Sequence, residues 1–293
     1  MDTIKGELAF FNTGDGLVLH GFLARPRRLS RNAIIHVHGL NGSFYRNKYA
    51  MALLKRSVES GFNFLSIEQR GSYGAFGLSR KTGGKFKRMQ AGGAYERFED
   101  SVNDIGGAIR FLGRLGINRI FLEGHSTGCQ KIAYYQYKKR DRRVKGIVLS
   151  APVDDYSLRK HELGKEFSNA VSFAKRNYKG NPLMPKRYMK EMYSSRRFLS
   201  FSDLKSVEAR MFHYNPKRLK EFSRIKVPVL AIFGSKEQYA TMQVKECMDI
   251  LKMNSGSKRF DHLIINGANH GFIGKEDELA RAITKWVRDV AGS

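Results

Sequence analysis

Apolar residues along this 293-residue chain fall into two kinds of pattern. Short runs that are apolar on both faces occur at Ala33–Val37, Phe62–Ile67, Arg119–Glu123, Gly146–Ser150, Val227–Phe233 and His262–Ile265. Such runs suit strands covered on both sides in a parallel sheet. Ahead of them, Thr3–Phe11 and Gly16–Leu23 alternate and are joined by Asn12-Thr13-Gly14-Asp15, which predicts an antiparallel hairpin. Helical patterns lie between the runs. Phe98, Val102, Ile105, Ile109 and Leu112 share one helix face, with Gly116 where a C-terminal cap is expected. Leu279, Ile283, Val287 and Val290 repeat the pattern near the end. Strands alternating with helices predict a three-layer α/β sandwich, its sheet mostly parallel and led by the antiparallel N-terminal hairpin.

Two segments break this rhythm. Gly71–Ala94 reads as a long connection with seven glycines, five Lys/Arg and no acidic residue; connections of that length are usually functional or mobile. Tyr156–Ile225 has 17 Lys/Arg against 6 Asp/Glu, scattered aromatics and a helical pattern with no parallel strand. It reads as a helical cap inserted over the carboxyl ends of the strands, where open α/β sheets place their ligands. The chain then divides into a core, residues 1–155 and 226–293, and a cap, residues 156–225. Both segments are expected to form a cationic entrance that favours substrates with a remote negative group.

With 41% hydrophobic and 27% charged residues the chain can bury a sizeable core, which excludes general disorder. No apolar run reaches the roughly 18–20 residues that span a bilayer. The start, Met1 to Glu7, has no hydrophobic signal core. A cytoplasmic protein without a membrane span is expected. Cys129 and Cys247 are too few for a disulfide framework or a four-cysteine zinc site, and read as thiols in a reducing compartment. The formal net charge of +26 attracts anions, nucleic acid among them, but only as nonspecific electrostatic contact.

The candidate chemistry lies at the strand ends. Ile117–Gln130 runs from an apolar strand into Gly124-His125-Ser126-Thr127-Gly128 and on into a helix-compatible stretch. A G-x-S-x-G placed there is a tight strand-to-helix turn that presents the serine hydroxyl above the sheet. Upstream, His38-Gly39-Leu40-Asn41-Gly42 ends an earlier strand, and its glycines let main-chain N–H groups approach a developing oxyanion. Leu40 and Thr127 are the expected donor pair, and His38 is read as a structural histidine. His270, in Gly267-Ala268-Asn269-His270-Gly271-Phe272 after the last strand, stands where the base of a Ser…acid…His order belongs. The acid is Glu237, in Gly234-Ser235-Lys236-Glu237, with Asp154 and Asp155 at the end of the preceding strand as alternatives. No metal cluster or phosphate-binding loop appears in the sequence, and the chemistry needs no cofactor.

These motifs, HGLNG, GHSTG, FGSKE and GANHGF in that order, resemble the α/β-hydrolase superfamily over nearly the whole chain. Gly124–Gln130 with Ala151-Pro152-Val153-Asp154-Asp155 is more narrowly similar to a branch that includes fungal siderophore esterases. In most such hydrolases an aspartate stands where Glu237 is. The resemblance implies a serine hydrolase acting on a carboxylic ester, or on an amide or thioester, through an acyl-enzyme. The competing readings are an acyltransferase on the same triad and a non-catalytic module that holds an anionic ligand or RNA. A small acyl substrate, anionic in the first reading, is the expected partner; oligomeric state is not legible.

Overall fold

A computed structural model describes residues 5–292. The predicted hairpin is present as β1 (Glu7–Asn12) and β2 (Val18–Ala24), paired antiparallel with Glu7 opposite Leu23. The expected start of its first strand, Thr3 and Ile4, lies outside the described residues. The chain continues through β3 (Asn32–Val37), α1 (Lys48–Glu59), β4 (Asn63–Ile67), β5 (Phe76–Thr82), β6 (Lys85–Ala91), α2 (Ser101–Arg114), β7 (Arg119–His125), α3 (Thr127–Lys139) and β8 (Val144–Ser150). Four helices follow: α4 (Asp155–Leu163), α5 (Phe167–Arg176), α6 (Ser195–Ser202) and α7 (Val207–Met211). The chain then returns to the sheet with β9 (Val229–Gly234), α8 (Val244–Asn254), β10 (Phe260–Ile265) and α9 (Glu276–Gly292).

Eight strands form one sheet in the order β1-β2-β4-β3-β7-β8-β9-β10. From β4 to β10 every pairing is parallel, and β2 joins β4 antiparallel. The parallel strands β3, β4, β7, β8 and β9 are buried almost throughout, which is why they read as continuous apolar runs. β10, also read as covered on both faces, is instead the sheet edge and exposes His262, Leu263 and Ile264. Helices α1 and α9 pack together on one face of the sheet, and α2 and α3 on the other. This is the three-layer arrangement expected. Register matters most for function. Val37 pairs with Gly124, His125 with Ser150, Ser150 with Ile232, and Gly234 with Ile265. The strand ends are therefore level, and the loops that follow β3, β7, β8, β9 and β10 share one edge.

One expectation is corrected. The stretch read as a long loop at Gly71–Ala94 holds a regular antiparallel hairpin, β5 with β6, in which Phe76 pairs with Ala91 and Thr82 with Lys85. Gly83 and Gly84 both have positive φ, 55° and 80°, the conformation that a two-residue hairpin turn requires. Glycine pairs mark hairpin turns as well as loops, and here the former holds. The hairpin packs on the β1–β2 turn: Leu17 bridges to Arg80, and Arg80 Nη2 lies 2.9 Å from Asp15 Oδ2.

The segment between β8 and β9 is helical, as expected. It has a separate apolar cluster that includes Ala170, Met189, Tyr193, Phe198 and Phe201. Phe212, Tyr214 and Phe222 of the same segment join the main core, and a buried ionic network adds to this tie. Arg197 of α6 is fully buried against Glu208 of α7 and lies 3.7 Å from Glu96, while Glu96 is 2.5 Å from the buried Lys131 of α3. Removing one member of such a network strands a buried charge, at a cost of about 3–5 kcal/mol.

Candidate active site

Gly124 and Gly128 make the β7–α3 turn possible. A Cβ on Gly128 would sit 2.1 Å from Val37 O, and one on Gly124 would sit 2.4 Å from Gly128 O. Between them Ser126 is held at φ 54°, ψ −126°, a strained conformation for a side-chain-bearing residue. The turn is locked by Ser126 N–H donating to Ser150 O at 3.0 Å. Thr127 is the first residue of α3, so its N–H has no partner within the helix. The Gly39–Gly42 loop packs on this turn: a Cβ on Gly39 would lie 2.9 Å from Ser126 Cβ. The loop is braced by His38, whose Nδ1–H donates to Gly39 O at 2.8 Å, while Nε2 accepts from Ser72 Oγ at 2.8 Å. Burial holds the His38 pKa down, which keeps the ring neutral and in this bridging role.

The loops after β9 and β10 are tied together before they reach the site. Lys236 N–H donates to Ala268 O at 2.8 Å and Ser235 N–H to Ile265 O at 3.0 Å. This brings Glu237 against His270. Both Glu237 oxygens lie within bonding distance of His270 Nδ1, at 2.9 and 3.0 Å, and Oε1 also accepts from Tyr239 N–H at 3.1 Å. A carboxylate on Nδ1 leaves Nε2 as the free imidazole nitrogen. Ser126 and His270 line one cavity of about 320 Å³, together with Leu40, Thr127 and His125. No hydrogen bond joins Ser126 Oγ to His270 in this unliganded arrangement; such bonds are often long until substrate is present. His125 packs beside His270 with ring centroids 4.8 Å apart, and its Nε2–H donates to His270 O at 2.8 Å. Burial drives the His125 pKa well down, so it remains a neutral donor.

The alternative acids go elsewhere. Asp154 caps α4: its carboxylate accepts from Ser157 N–H at 2.9 Å and Tyr214 N–H at 3.1 Å, and lies 3.1 Å from His213 Nδ1. Asp155 does line the cavity, but its bonding partner is Gln130 Nε2 at 2.7 Å rather than His270. Burial, reinforced by the charge of Glu208, raises its pKa to about 7.

The remaining lining departs from expectation. It comprises Asp155, Glu162, Glu191 and Arg159 as charged groups, with Tyr193 and Tyr239. No residue of the β5–β6 hairpin reaches it. The expected cationic entrance is therefore not what surrounds Ser126. Arg80 of the hairpin pairs with Asp15 of the β1–β2 turn, and several insertion cations are spent on ion pairs such as Arg197–Glu208 and Arg210–Glu221. A larger cavity, about 600 Å³, lies between the Tyr95–Glu99 stretch and the insertion but includes none of the motif residues.

Sequence reasoning passed over a buried cluster directly under the turn. Glu123 in β7 holds His36 of β3 at 2.5 Å, Ser150 of β8 at 2.7 Å and Tyr49 of α1 at 3.4 Å. It ties the ends of three strands beneath Ser126. Its signal was visible: a lone carboxylate inside an otherwise apolar strand run must find partners.

The fold is that of several known esterases. The siderophore hydrolase EstB from Aspergillus fumigatus is 15% identical, with 99% of each chain covered and a TM-score of 0.74. Est1E from Butyrivibrio proteoclasticus, solved with ferulic acid bound, is 14% identical over 97% of this chain and 100% of its own, with a TM-score of 0.69. A monoacylglycerol lipase from Paleococcus ferrophilus is 21% identical over 93% of this chain and 99% of its own, with a TM-score of 0.58. At these identities the likeness establishes an α/β-hydrolase fold and leaves the substrate open. No curated protein sequence matches the chain significantly. A family model described as "Protein of unknown function (DUF1749)" matches residues 12–291, so this α/β-hydrolase-fold chain belongs to the DUF1749 family.

Proposed function

We propose that the protein is a serine hydrolase that cleaves a carboxylic ester at Ser126. The observation that carries this reading is a serine in a strained elbow sharing one cavity with a histidine whose other nitrogen is held by both oxygens of a buried carboxylate. His270 Nε2 takes the Ser126 proton as Oγ attacks the ester carbonyl. Glu237 keeps the required tautomer and stabilises the imidazolium that forms. The N–H groups of Leu40 and Thr127 receive the negative charge on the tetrahedral oxygen. Their place in the oxyanion site is supported by the packing of Gly39 on Ser126 and by the helix-start position of Thr127. His270 then protonates the departing alcohol. Water, deprotonated by the same histidine, releases the acid from the acyl-enzyme.

Residues 156–225 act as the cap in this scheme, since Leu158, Arg159, Glu162, Glu191 and Tyr193 form one wall of the cavity. The esterase and lipase names of structures with the same fold agree with ester cleavage. The test is labelling by a fluorophosphonate together with turnover of nitrophenyl esters. Ser126→Ala should lose the label and on the order of 10⁶ in kcat. Retention of more than roughly a hundredth of the wild-type rate by this variant would overturn the assignment.

A further inference from the structure

The charge of the whole molecule and the charge of its cavity have opposite signs. The chain carries +26, yet the charged groups lining the Ser126 cavity are three carboxylates, Asp155, Glu162 and Glu191, and one guanidinium, Arg159. That guanidinium is already engaged. It forms an ion pair with Glu162 and lies 5.5 Å from the centroid of the Phe201 ring. Two carboxylates are left facing the cavity without a cation of their own in its lining. Glu191 is exposed at its rim, whereas Asp155 is half-buried in its wall.

Asp155 is the more informative of the two. One of its oxygens accepts from Gln130 Nε2 at 2.7 Å, and the other has no hydrogen-bond partner among the described residues. Thr127, next to Ser126, supplies an independent observation. Its hydroxyl is buried without a partner among the described residues, and the residue itself lines the same cavity. Two tyrosines complete the wall. Tyr193 is held by Asn41 Nδ2 on its hydroxyl, and Tyr239 stands edge-on to His270 with centroids 4.7 Å apart. Aromatic faces beside carboxylates are the chemistry that holds an ammonium group.

Resting on the hydrolase reading above, we propose that the substrate of this site is an ester bearing an ammonium group remote from the scissile carbonyl. Glu191 and Asp155 receive that cation, with Tyr193 and Tyr239 beside it. Burial holds the Asp155 carboxyl up near neutral pH, and a docked cation draws it into its ionised form. The Thr127 hydroxyl pairs with a polar atom nearer the reacting carbon. The overall positive charge of the protein does not oppose this. Exposed cations more than a Debye length away, about 8 Å at physiological salt, are largely screened, whereas carboxylates in the cavity wall act at contact. The other charges near Asp155 are Glu208 and Asp154, which oppose its ionisation, and Arg159 and Arg197, which favour it. Each of the two arginines has its own carboxylate partner, Glu162 for Arg159 and Glu208 for Arg197.

Three nitrophenyl esters of equal length test this: an ω-aminoacyl ester, its neutral alkanoyl isostere and the ω-carboxyacyl ester. The aminoacyl ester should exceed the neutral one in kcat/KM by roughly tenfold, with the carboxyacyl ester poorest and the preference falling as salt rises. Asp155→Asn should bring the amino-to-neutral ratio close to one, and the exposed Glu191→Gln should lower it part of the way. A ratio at or below one in the wild type, or a preference for the carboxyacyl ester, overturns the proposal while leaving ester hydrolysis standing. Binding is measured separately, by calorimetry of butyltrimethylammonium with Ser126→Ala. If no ester is turned over but this cation binds, and binding is weakened in Ser126→Ala/Asp155→Asn, the hydrolase reading falls and the cation site holds. Absence of measurable binding to a folded Ser126→Ala protein overturns the cation site.

Discussion

β8 and β9 run side by side, and each ends in a loop that carries acid to the same edge of the sheet. After β9, Glu237 follows two loop residues, Ser235 and Lys236, that are pinned to the end of β10 and the loop after it by two main-chain hydrogen bonds, and its carboxylate meets His270. After β8 and the three residues Ala151-Pro152-Val153, Asp154 and Asp155 begin α4. Asp154 is consumed in starting that helix, and Asp155 is carried into the cavity wall beside Gln130. Three carboxylates of similar chemistry thus receive three different tasks. What separates them is the element that follows: a loop tied to its neighbour delivers an acid sideways, and a helix start turns it inward on its own N–H groups.

The comparison breaks if the β8 end can do the work of the β9 end. Glu237→Gln keeps the shape but removes the charge that compensates the imidazolium, and should cost about 10⁴ in kcat. Asp155→Asn should cost less than about tenfold on a neutral ester, because its carboxylate does not touch His270. Steady-state kinetics on the two variants decides; the reverse order would move the acid to β8.

A second measurement sharpens the contrast through pH. Asp155 is raised from 3.8 to about 7 in the folded protein, burial being the main cause and Glu208 adding to it. The native state therefore favours the protonated acid. The resulting stabilisation is complete below the unfolded pKa and is lost as pH rises from there through 7. Asp155→Asn, which never ionises, should equal wild type near pH 4 and gain on it by pH 8, by on the order of 3 kcal/mol. Denaturant melts at the two pH values measure this; an equal difference at both would remove the buried-acid description.

The smallest effect is expected at the helix cap. Asp154→Ala removes the acceptor for Ser157 N–H and strands the buried Tyr214 N–H, so about 2 kcal/mol of stability should be lost. The kcat of the folded variant should stay within about threefold of wild type, since Asp154 does not line the cavity. A loss of activity without loss of stability would show that Asp154 acts in the chemistry after all.

Much of this was legible from local pattern alone. The buried strands announced themselves as apolar runs, and the elbow as glycines flanking a serine between a strand and a helix. The proximity of Glu237 to His270 followed from their strand-end positions. The β5–β6 hairpin was missed because exposed strands lack an apolar signature, and Gly83-Gly84 suits a loop as well as a turn. Glu123 was visible as a carboxylate out of place, but its partners His36, Ser150 and Tyr49 come from three other elements.

The sequence by itself determined the alternation of elements and the placing of Ser126, His270 and Glu237 in turns that follow apolar runs. These depend on backbone sterics and hydrophobic period, which are properties of neighbouring residues. Tertiary structure alone decided which charges face the cavity. Net charge counts every cation equally, while folding pairs Arg197 with Glu208, Arg159 with Glu162 and Arg80 of the hairpin with Asp15 of the β1–β2 turn. The field at a site is set by the nearest unpaired groups in a poorly screened pocket, and those here are Asp155 and Glu191.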